Sequence, residues 1–195
     1  MRECMKSEQI SFDQVFLSWL EDEAMQIEGR DILPVAKSKG FNSIAEWRLA
    51  TAIRLGMDTK EWTVQEINNP NTELPNIIIG PYQGWSKFFA NELSTTFAAA
   101  LEIPEFLEWC SSHDRIIPIS QNFPLSTRLI LFRKDNGDLV HIEGGHRICA
   151  AAYMKKIGQP INFDSNFSIS AAVASVSDEE IENLKDFLSK GTFRK

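Results

Sequence analysis

The feature that most constrains the fold of this chain is a β-hairpin signal that runs directly into a glycine-rich turn and a helix. The segments 128–133 and 139–142 are apolar, and the sequence DNGD at 135–138 separates them. Asn-Gly between two apolar runs is the strongest short-range hairpin signal, because tight hairpin turns need residues that tolerate positive φ angles. The sequence EGGHR at 143–147 follows, and an alanine-rich segment then ends at Gly158. This pattern predicts two strands, a loop and a helix in immediate succession.

Helices are predicted on both sides of this unit. Segment 11–28 carries apolar residues at three- and four-residue spacings behind Ser11, and segment 43–56 opens with Ser43 and Glu46 as a capping box. A second capping box opens a helix at 178–191. Further helices are predicted over 86–101 and 104–111, and further strands over 62–67, 76–79, 115–120, 160–163 and 168–176. The order of these segments predicts an α+β domain, 59–195, behind a helical N-terminal extension, 1–58.

The composition limits the class of protein. The chain has 195 residues and a formal net charge of −7, from 20 Lys and Arg against 27 Asp and Glu. An acidic chain does not provide the positive field of a protein that coats nucleic acid, although a local phosphate site needs only a few aimed donors. Its 3 cysteines lack a CxxC spacing, and neither a signal peptide nor a transmembrane segment is visible. We therefore expect a cytoplasmic protein with reduced thiols.

The start of the predicted helix after the hairpin resembles an anion-binding site. The N–H groups of a helix N-terminus attract negative charge, and Gly144 and Gly145 would let an anion approach the backbone. The Arg147 guanidinium can form a bidentate hydrogen bond with two phosphate oxygens, and His146 can donate a hydrogen bond or transfer a proton. Glu143 can serve as a general base or help to hold a magnesium ion. The alternative, a tight turn with solvated side chains, stays open.

Two other sequence patterns bear on function. His141, Glu143 and His146 form an H-x-E-x-x-H pattern, in which the first two side chains would face the same side of a strand. The spacing differs from the helical zinc motifs, so no metal site is predicted. The loop GPYQGWSK at 80–87 could stack an aromatic side chain on a nucleobase, or Trp85 could simply anchor it to the core.

The segment EGGHRICAAAYMKKIG resembles the signature of the ParB/sulfiredoxin-like superfamily. Gly144 matches the glycine of the motif, and His146 and Arg147 match its two phosphate-side positions. Ala150 and Ala151 match its small helical residues. The segments 62–70 and 115–119 are similar to two strands of that fold, although the insertion between them is long. Residues 1–58 have no counterpart in the superfamily.

The resemblance implies a small mixed sheet whose hairpin leads into a glycine-rich loop and helix. It implies that Gly144, Gly145, His146 and Arg147 bind a nucleoside di- or triphosphate (ATP/ADP or CTP), with Mg²⁺ as a companion ion. Glu143 and His146 would then be catalytic, in a phosphotransferase or nucleotide hydrolase that acts on a small molecule. Sulfiredoxin chemistry is not expected, because Gly145 stands where sulfiredoxin has its reactive cysteine.

Two other functions stay open beside this one. The first is a non-enzymatic, nucleotide-gated module that binds a protein partner, and the second is a ParB-like nuclease. The net charge of −7 argues against a nucleic-acid substrate, and we do not expect a partition protein, since about 20 residues after Val176 leave no room for a DNA-reading region. Whether the chain is an enzyme, which base it prefers and whether it forms a homodimer are left open by the sequence.

Overall fold

A five-stranded mixed sheet forms the centre of the molecule, in a computed structural model that describes residues 8–26, 32–89 and 93–190. The spatial order of the strands is β1-β2-β5-β3-β4. β3 and β5 run parallel, and the other neighbouring pairs are antiparallel. The strands are β1 (Glu8–Ile10), β2 (Trp62–Glu66), β3 (Ser126–Arg133), β4 (Leu139–Glu143) and β5 (Ser168–Ser175). The predicted α+β class is therefore confirmed.

The helices lie around this sheet and include several short ones. Those described are α1 (Phe12–Gln26), α2 (Leu33–Ser38), α3 (Ile44–Arg54), α4 (Pro70–Glu73), α5 (Gln83–Ser86), α6 (Phe97–Ala100), α7 (Pro104–Ser112), α8 (Ile116–Gln121), α9 (Gly145–Lys156) and α10 (Asp178–Lys190). Single 3₁₀ turns occupy Met57–Thr59 and Leu74–Asn76. Within the described ranges, none of the helices combines the length and apolar character needed to cross a bilayer.

The predicted hairpin is confirmed and leads directly into α9. β3 pairs with β4 in antiparallel register, and Gly137 in the turn has a φ of +92°. An L-residue with a side chain rarely adopts this angle, so glycine suits the turn. The segment around Ile78 runs parallel to β4 and covers its outer edge. The Ile78 N–H donates to Leu139 O at 2.8 Å, and Ile78 O accepts from the His141 N–H at 2.9 Å.

Strand alternation divides the core into two layers. Leu129 and Leu131 of β3 pack on one face of the sheet with α9, whereas Ile130 and Phe132 pack on the other face. This is the period-two pattern of a strand buried on both sides. α9 is alanine-rich because it lies against this sheet, and Ala150 and Ala151 are fully buried. Cys110 and Cys149 meet in the same layer as free thiols, with their sulfur atoms 3.6 Å apart.

The N-terminal segment packs against the sheet. Val15 and Trp19 of α1 belong to the same buried cluster as Trp62 of β2 and Phe132 of β3. β1 adds a strand to the sheet edge, and α1, α2 and α3 are the helices among the described residues before residue 58. The division of the chain at 58 and 59 stays a prediction.

The helix caps agree with the sequence prediction. The Ser43 hydroxyl accepts a hydrogen bond from the Glu46 N–H at 3.0 Å, and Ser177 accepts one from the Glu180 N–H at 3.3 Å. Each bond satisfies a backbone donor that a helix start leaves without an intrahelical partner. Ser11 acts in the same way at the start of α1, accepting from the Gln14 N–H at 3.3 Å.

Four element predictions were wrong. Segment 76–79 forms no strand, because Asn76 belongs to a 3₁₀ turn and Ile78 makes only isolated bridges. Segment 115–120 is helical as α8, because a short run of apolar residues fits either structure and Pro118 is tolerated in the first turn of a helix. Segment 160–163 forms no strand. Of the helix predicted over 86–101, residues 90–92 lie outside the described ranges, and α6 covers only Phe97–Ala100. Leu93 has a φ of +50°, which a right-handed helix does not accommodate.

Candidate functional site

An open cavity of about 370 Å³ lies where β4 ends and α9 begins. This volume is within the range of small-molecule sites. Its wall combines residues from α1, α3, α5, α7, β4 and α9 with residues from connecting segments. The lining residues are Trp19, Glu23, Lys39, Trp47, Arg48, Thr51, Tyr82, Gly84, Trp85, Trp109, His113, Arg115, His141, Ile142, Glu143, Gly145 and His146. The cavity therefore contains aromatic rings, carboxylates and cations together.

The turn between β4 and α9 is shaped around the imidazole of His141. Its Nδ1 accepts the Gly80 N–H at 2.6 Å, so the neutral ring carries its proton on Nε2. A Cβ atom at Gly145 would lie 2.6 Å from that Nε2. Burial lowers the pKa of His141 to about 3, so the ring is neutral near pH 7. Gly144 precedes the helix as its N-cap with a φ of +92°.

His146 stands in the first turn of α9 and borders the cavity. Its ring centroid lies 5.3 Å from that of Trp85 and 5.1 Å from that of His113. Burial, followed by the charge of Arg115, lowers the pKa of His146 to about 3. A neutral imidazole at this position can donate one hydrogen bond and accept another.

Glu143, the last residue of β4, contributes a carboxylate to the cavity. Burial raises its pKa above the usual range, and the guanidinium groups of Arg147 and Arg48 oppose that shift. The Arg147 Nη2 lies 3.8 Å from Glu143 Oε1. A carboxyl group whose pKa is raised above its usual value is a stronger base once it is ionised than an ordinary carboxylate, which suits proton transfer.

Arg147 does not line the cavity. Its side chain is 3% exposed, and Nη1 donates to Asp22 Oδ2 of α1 at 2.7 Å and to the hydroxyl of Thr127 on β3. Its Nε and Nη2 have no hydrogen-bond partner among the described residues. The guanidinium thus connects α9 to α1 and β3 beneath the cavity. Of the residues that the sequence patterns single out, the cavity wall contains His141, Glu143, Gly145 and His146 and, from the 80–87 loop, Tyr82, Gly84 and Trp85.

Arg115 is the cation that the sequence analysis placed in a strand and gave no chemical role. The structure puts it at the start of α8 and in the cavity wall, half-buried. In the described part of the chain, its guanidinium has no hydrogen-bond or ion-pair partner. His113 fixes this turn, since its Nδ1 accepts the N–H groups of Arg115 at 3.1 Å and Ile116 at 3.4 Å.

The wall contributed by α1 and α3 was also missed. Arg48 Nε donates to Glu23 Oε2 at 2.9 Å, and Arg48 Nη2 bonds Glu23 Oε1. The guanidinium carbon lies 4.3 Å from the centroid of the Trp47 ring. No local pattern indicates this wall, because residues 23 and 48 meet only through tertiary packing.

The donor set at the cavity is poor in metal ligands. Within the ranges that the structure describes, no three His, Cys, Asp or Glu side chains are arranged to hold a metal ion. Glu23 has both carboxylate oxygens bonded to Arg48, so Glu143 is the carboxylate left to meet a cation. Mg²⁺ is commonly bound by one or two carboxylates together with substrate phosphates. Glu143 is thus the cavity carboxylate that could hold such an ion or, without one, accept a proton.

Comparison with protein-family models, curated proteins and solved structures gives no match to this chain.

Proposed function

We propose that this protein binds a nucleotide in the cavity at the start of α9, with its phosphates against Arg115, His146 and the helix N-terminus. The observation that carries the proposal is the guanidinium of Arg115, which borders the same cavity as that N-terminus and has no hydrogen-bond or ion-pair partner among the described residues. A half-buried cation without a partner is costly, and an anionic ligand would satisfy it. The helix end adds a favourable field for negative charge.

The aromatic part of the wall suits the rest of a nucleotide. Trp85, Trp109 and Tyr82 border the same cavity, and a flat heteroaromatic base gains free energy by stacking on such rings. The resemblance of EGGHR to the ParB/sulfiredoxin-like signature supports the same ligand class. Arg147 takes a positioning role in this proposal, because its buried ion pair holds α9 against α1.

The residues at the phosphate end also suit phosphoryl transfer to a small-molecule acceptor. Arg115 would offset the charge that builds on the transferred group, and Glu143 would accept the proton of the attacking hydroxyl. A raised pKa makes Glu143 a stronger base once it is ionised. A Mg²⁺ ion entering with the nucleotide would supply positive charge that offsets the charge of the phosphates.

Calorimetric titration with Mg²⁺ and ATP, ADP, CTP or GTP tests the binding site. We expect Arg115→Ala to weaken binding by about tenfold or more, because a charge-assisted hydrogen bond is lost. Arg128→Ala is the matched control: Arg128 is a half-buried arginine of β3 that does not border the cavity. The absence of binding by any nucleotide, or equal effects of the two variants, would refute the proposed site.

Product analysis with a pool of metabolites separates catalysis from binding alone. Phosphoryl transfer or hydrolysis that is lost in Glu143→Gln, with nucleotide affinity retained, is the expected result. Binding without turnover would favour the nucleotide-gated interaction module. Cleavage of plasmid DNA that depends on Glu143 would favour the nuclease.

A further inference from the structure

We propose that Arg48 reads the base of the bound nucleotide and selects bases with two adjacent hydrogen-bond acceptors on one edge. This specificity rests on the nucleotide site proposed above. It assigns a role to α1 and α3, which lie in the part of the chain that the superfamily resemblance does not cover. The residues that carry it are Arg48, Glu23 and Trp47, all of which border the cavity.

The guanidinium of Arg48 is held in one orientation. Glu23 takes its Nε–H and one Nη2–H in a bidentate ion pair, and the Trp47 ring lies against its face at 4.3 Å from ring centroid to guanidinium carbon. Trp19 adds a second ring at 5.6 Å. A charged group that is fixed by an ion pair and a ring face presents its remaining donors in a defined direction, which is what selective recognition needs.

The remaining donors of Arg48 include two adjacent N–H groups, one on Nη1 and one on Nη2, that point the same way. A guanidinium has five N–H groups, and Glu23 uses two of them. The structure gives the Nη1 groups and the second Nη2–H no hydrogen-bond partner among the described residues, and the side chain is 19% exposed at the cavity. Adjacent Nη1–H and Nη2–H groups match two acceptor atoms that lie side by side.

The surrounding charges favour a neutral acceptor pair over a second phosphate at this position. The Glu23 carboxylate already balances the Arg48 charge, and the charges of Arg48 and Glu23 both act on Glu143 nearby. An additional anion here would meet two carboxylates. Arg115, which has no partner in the part of the chain that the structure describes, lies at the start of α8 and is the better partner for phosphate. Arg48 is then left for an uncharged part of the ligand.

Only some nucleobases carry the required pattern. Guanine presents O6 and N7 as adjacent acceptors, and cytosine presents O2 and N3. Adenine and uracil place a donor beside each acceptor on the corresponding edges. One N–H donor of Arg48 would then face an N–H donor of the base, and no hydrogen bond could form between them. A bidentate pair of this kind discriminates by about tenfold or more between bases.

Titration of the full chain with the Mg²⁺ complexes of GTP, CTP, ATP and UTP tests the proposal. We expect GTP or CTP to bind about tenfold or more tightly than ATP and UTP. The 7-deaza analogue of GTP and the 3-deaza analogue of CTP each lack one acceptor, so the preferred nucleotide loses its advantage in the matching analogue. These comparisons use the unmodified protein and identify which base edge is read.

Variants then assign the preference to Arg48. Arg48→Lys keeps the positive charge but loses the planar pair of N–H donors. The variant should therefore lose the preference for GTP or CTP and retain the affinity that the phosphates provide. Arg54→Lys, on the same helix but outside the cavity, should keep the preference. Equal affinity for all four nucleotides, a preference for ATP or UTP, or a preference that survives in folded Arg48→Lys would overturn the assignment while leaving the nucleotide site in place. If no nucleotide binds, both proposals fail.

Discussion

Gly145 and His141 fit each other at the atomic level, and this fit sets the geometry of the cavity floor. The imidazole fills the space where any side chain at residue 145 would begin. Gly80 contacts the same histidine from the other side, through its N–H and through its Cα, where an added Cβ would lie 1.9 Å from His141 O. The glycines at 80 and 145 therefore serve packing of one buried ring as much as any approach of a ligand.

Replacement of Gly145 by alanine should destabilise the fold through this contact. The added methyl group would lie 2.6 Å from His141 Nε2, and overpacking of this kind costs about 1–3 kcal/mol in unfolding free energy. Urea denaturation at pH 7 measures the loss. Gly84→Ala is the control, because nothing lies within 4 Å of a Cβ there; equal stability of the two variants would contradict the packing role.

At the scale of elements, one buried ion pair attaches α1 to α9. Asp22 of α1 and Arg147 of α9 lie in the interior with side-chain exposures of 11% and 3%. Removing one partner of a buried ion pair leaves an uncompensated charge and is strongly destabilising. The docking of α1 matters for the site as well, because α1 supplies Trp19 and Glu23 to the cavity wall.

Asp22→Ala should therefore lower the unfolding free energy by about 3–5 kcal/mol. Glu21→Ala is the matched control, since Glu21 is the exposed neighbour on the same helix. Denaturant titration of both variants provides the comparison. If Asp22→Ala is as stable as Glu21→Ala, the ion pair does not attach the helix, and the cavity wall must be held by apolar packing alone.

The stability of the whole molecule should depend on pH through its buried histidines. The folded protein holds the pKa of His141 and His146 at about 3, whereas the unfolded value is about 6.5. The unfolded chain therefore binds protons that the folded protein does not, and stability falls as pH drops from about 6.5 toward 3. Glu143 acts in the opposite direction, because its pKa is raised on folding.

We expect the unfolding free energy to decrease by up to about 1.4 kcal/mol per pH unit for each histidine between pH 6 and pH 5. Replacing His146 by Asn removes one of these contributions, so the pH slope of the variant should be shallower than that of the wild type. Urea denaturation at pH 5, 6 and 7 and constant ionic strength measures both slopes. Identical pH slopes of the variant and the wild type would show that His146 is protonated between pH 5 and 6 in the folded protein as it is in the unfolded chain.

The sequence by itself determined the local architecture of this protein. Capping boxes at Ser43 and Ser177, the Asn-Gly turn and the alanine-rich α9 are short-range signals, and each depends on backbone chemistry within a few residues. They predicted the hairpin, the helix after it and the α+β class. Segment 115–120 was mistaken for a strand because its apolar residues are compatible with either structure until tertiary contacts decide.

Only the tertiary structure decided which side chains share the cavity. Glu23, Arg48 and Arg115 meet Glu143 and His146 from segments far apart in the chain, and no local pattern encodes such a meeting. It also turned the guanidinium of Arg147, which the helix-start pattern assigned to a ligand, into the interior beside Asp22. The physical reason is that burial and ion pairing are properties of the packed chain, whereas a motif records only residue types and spacing.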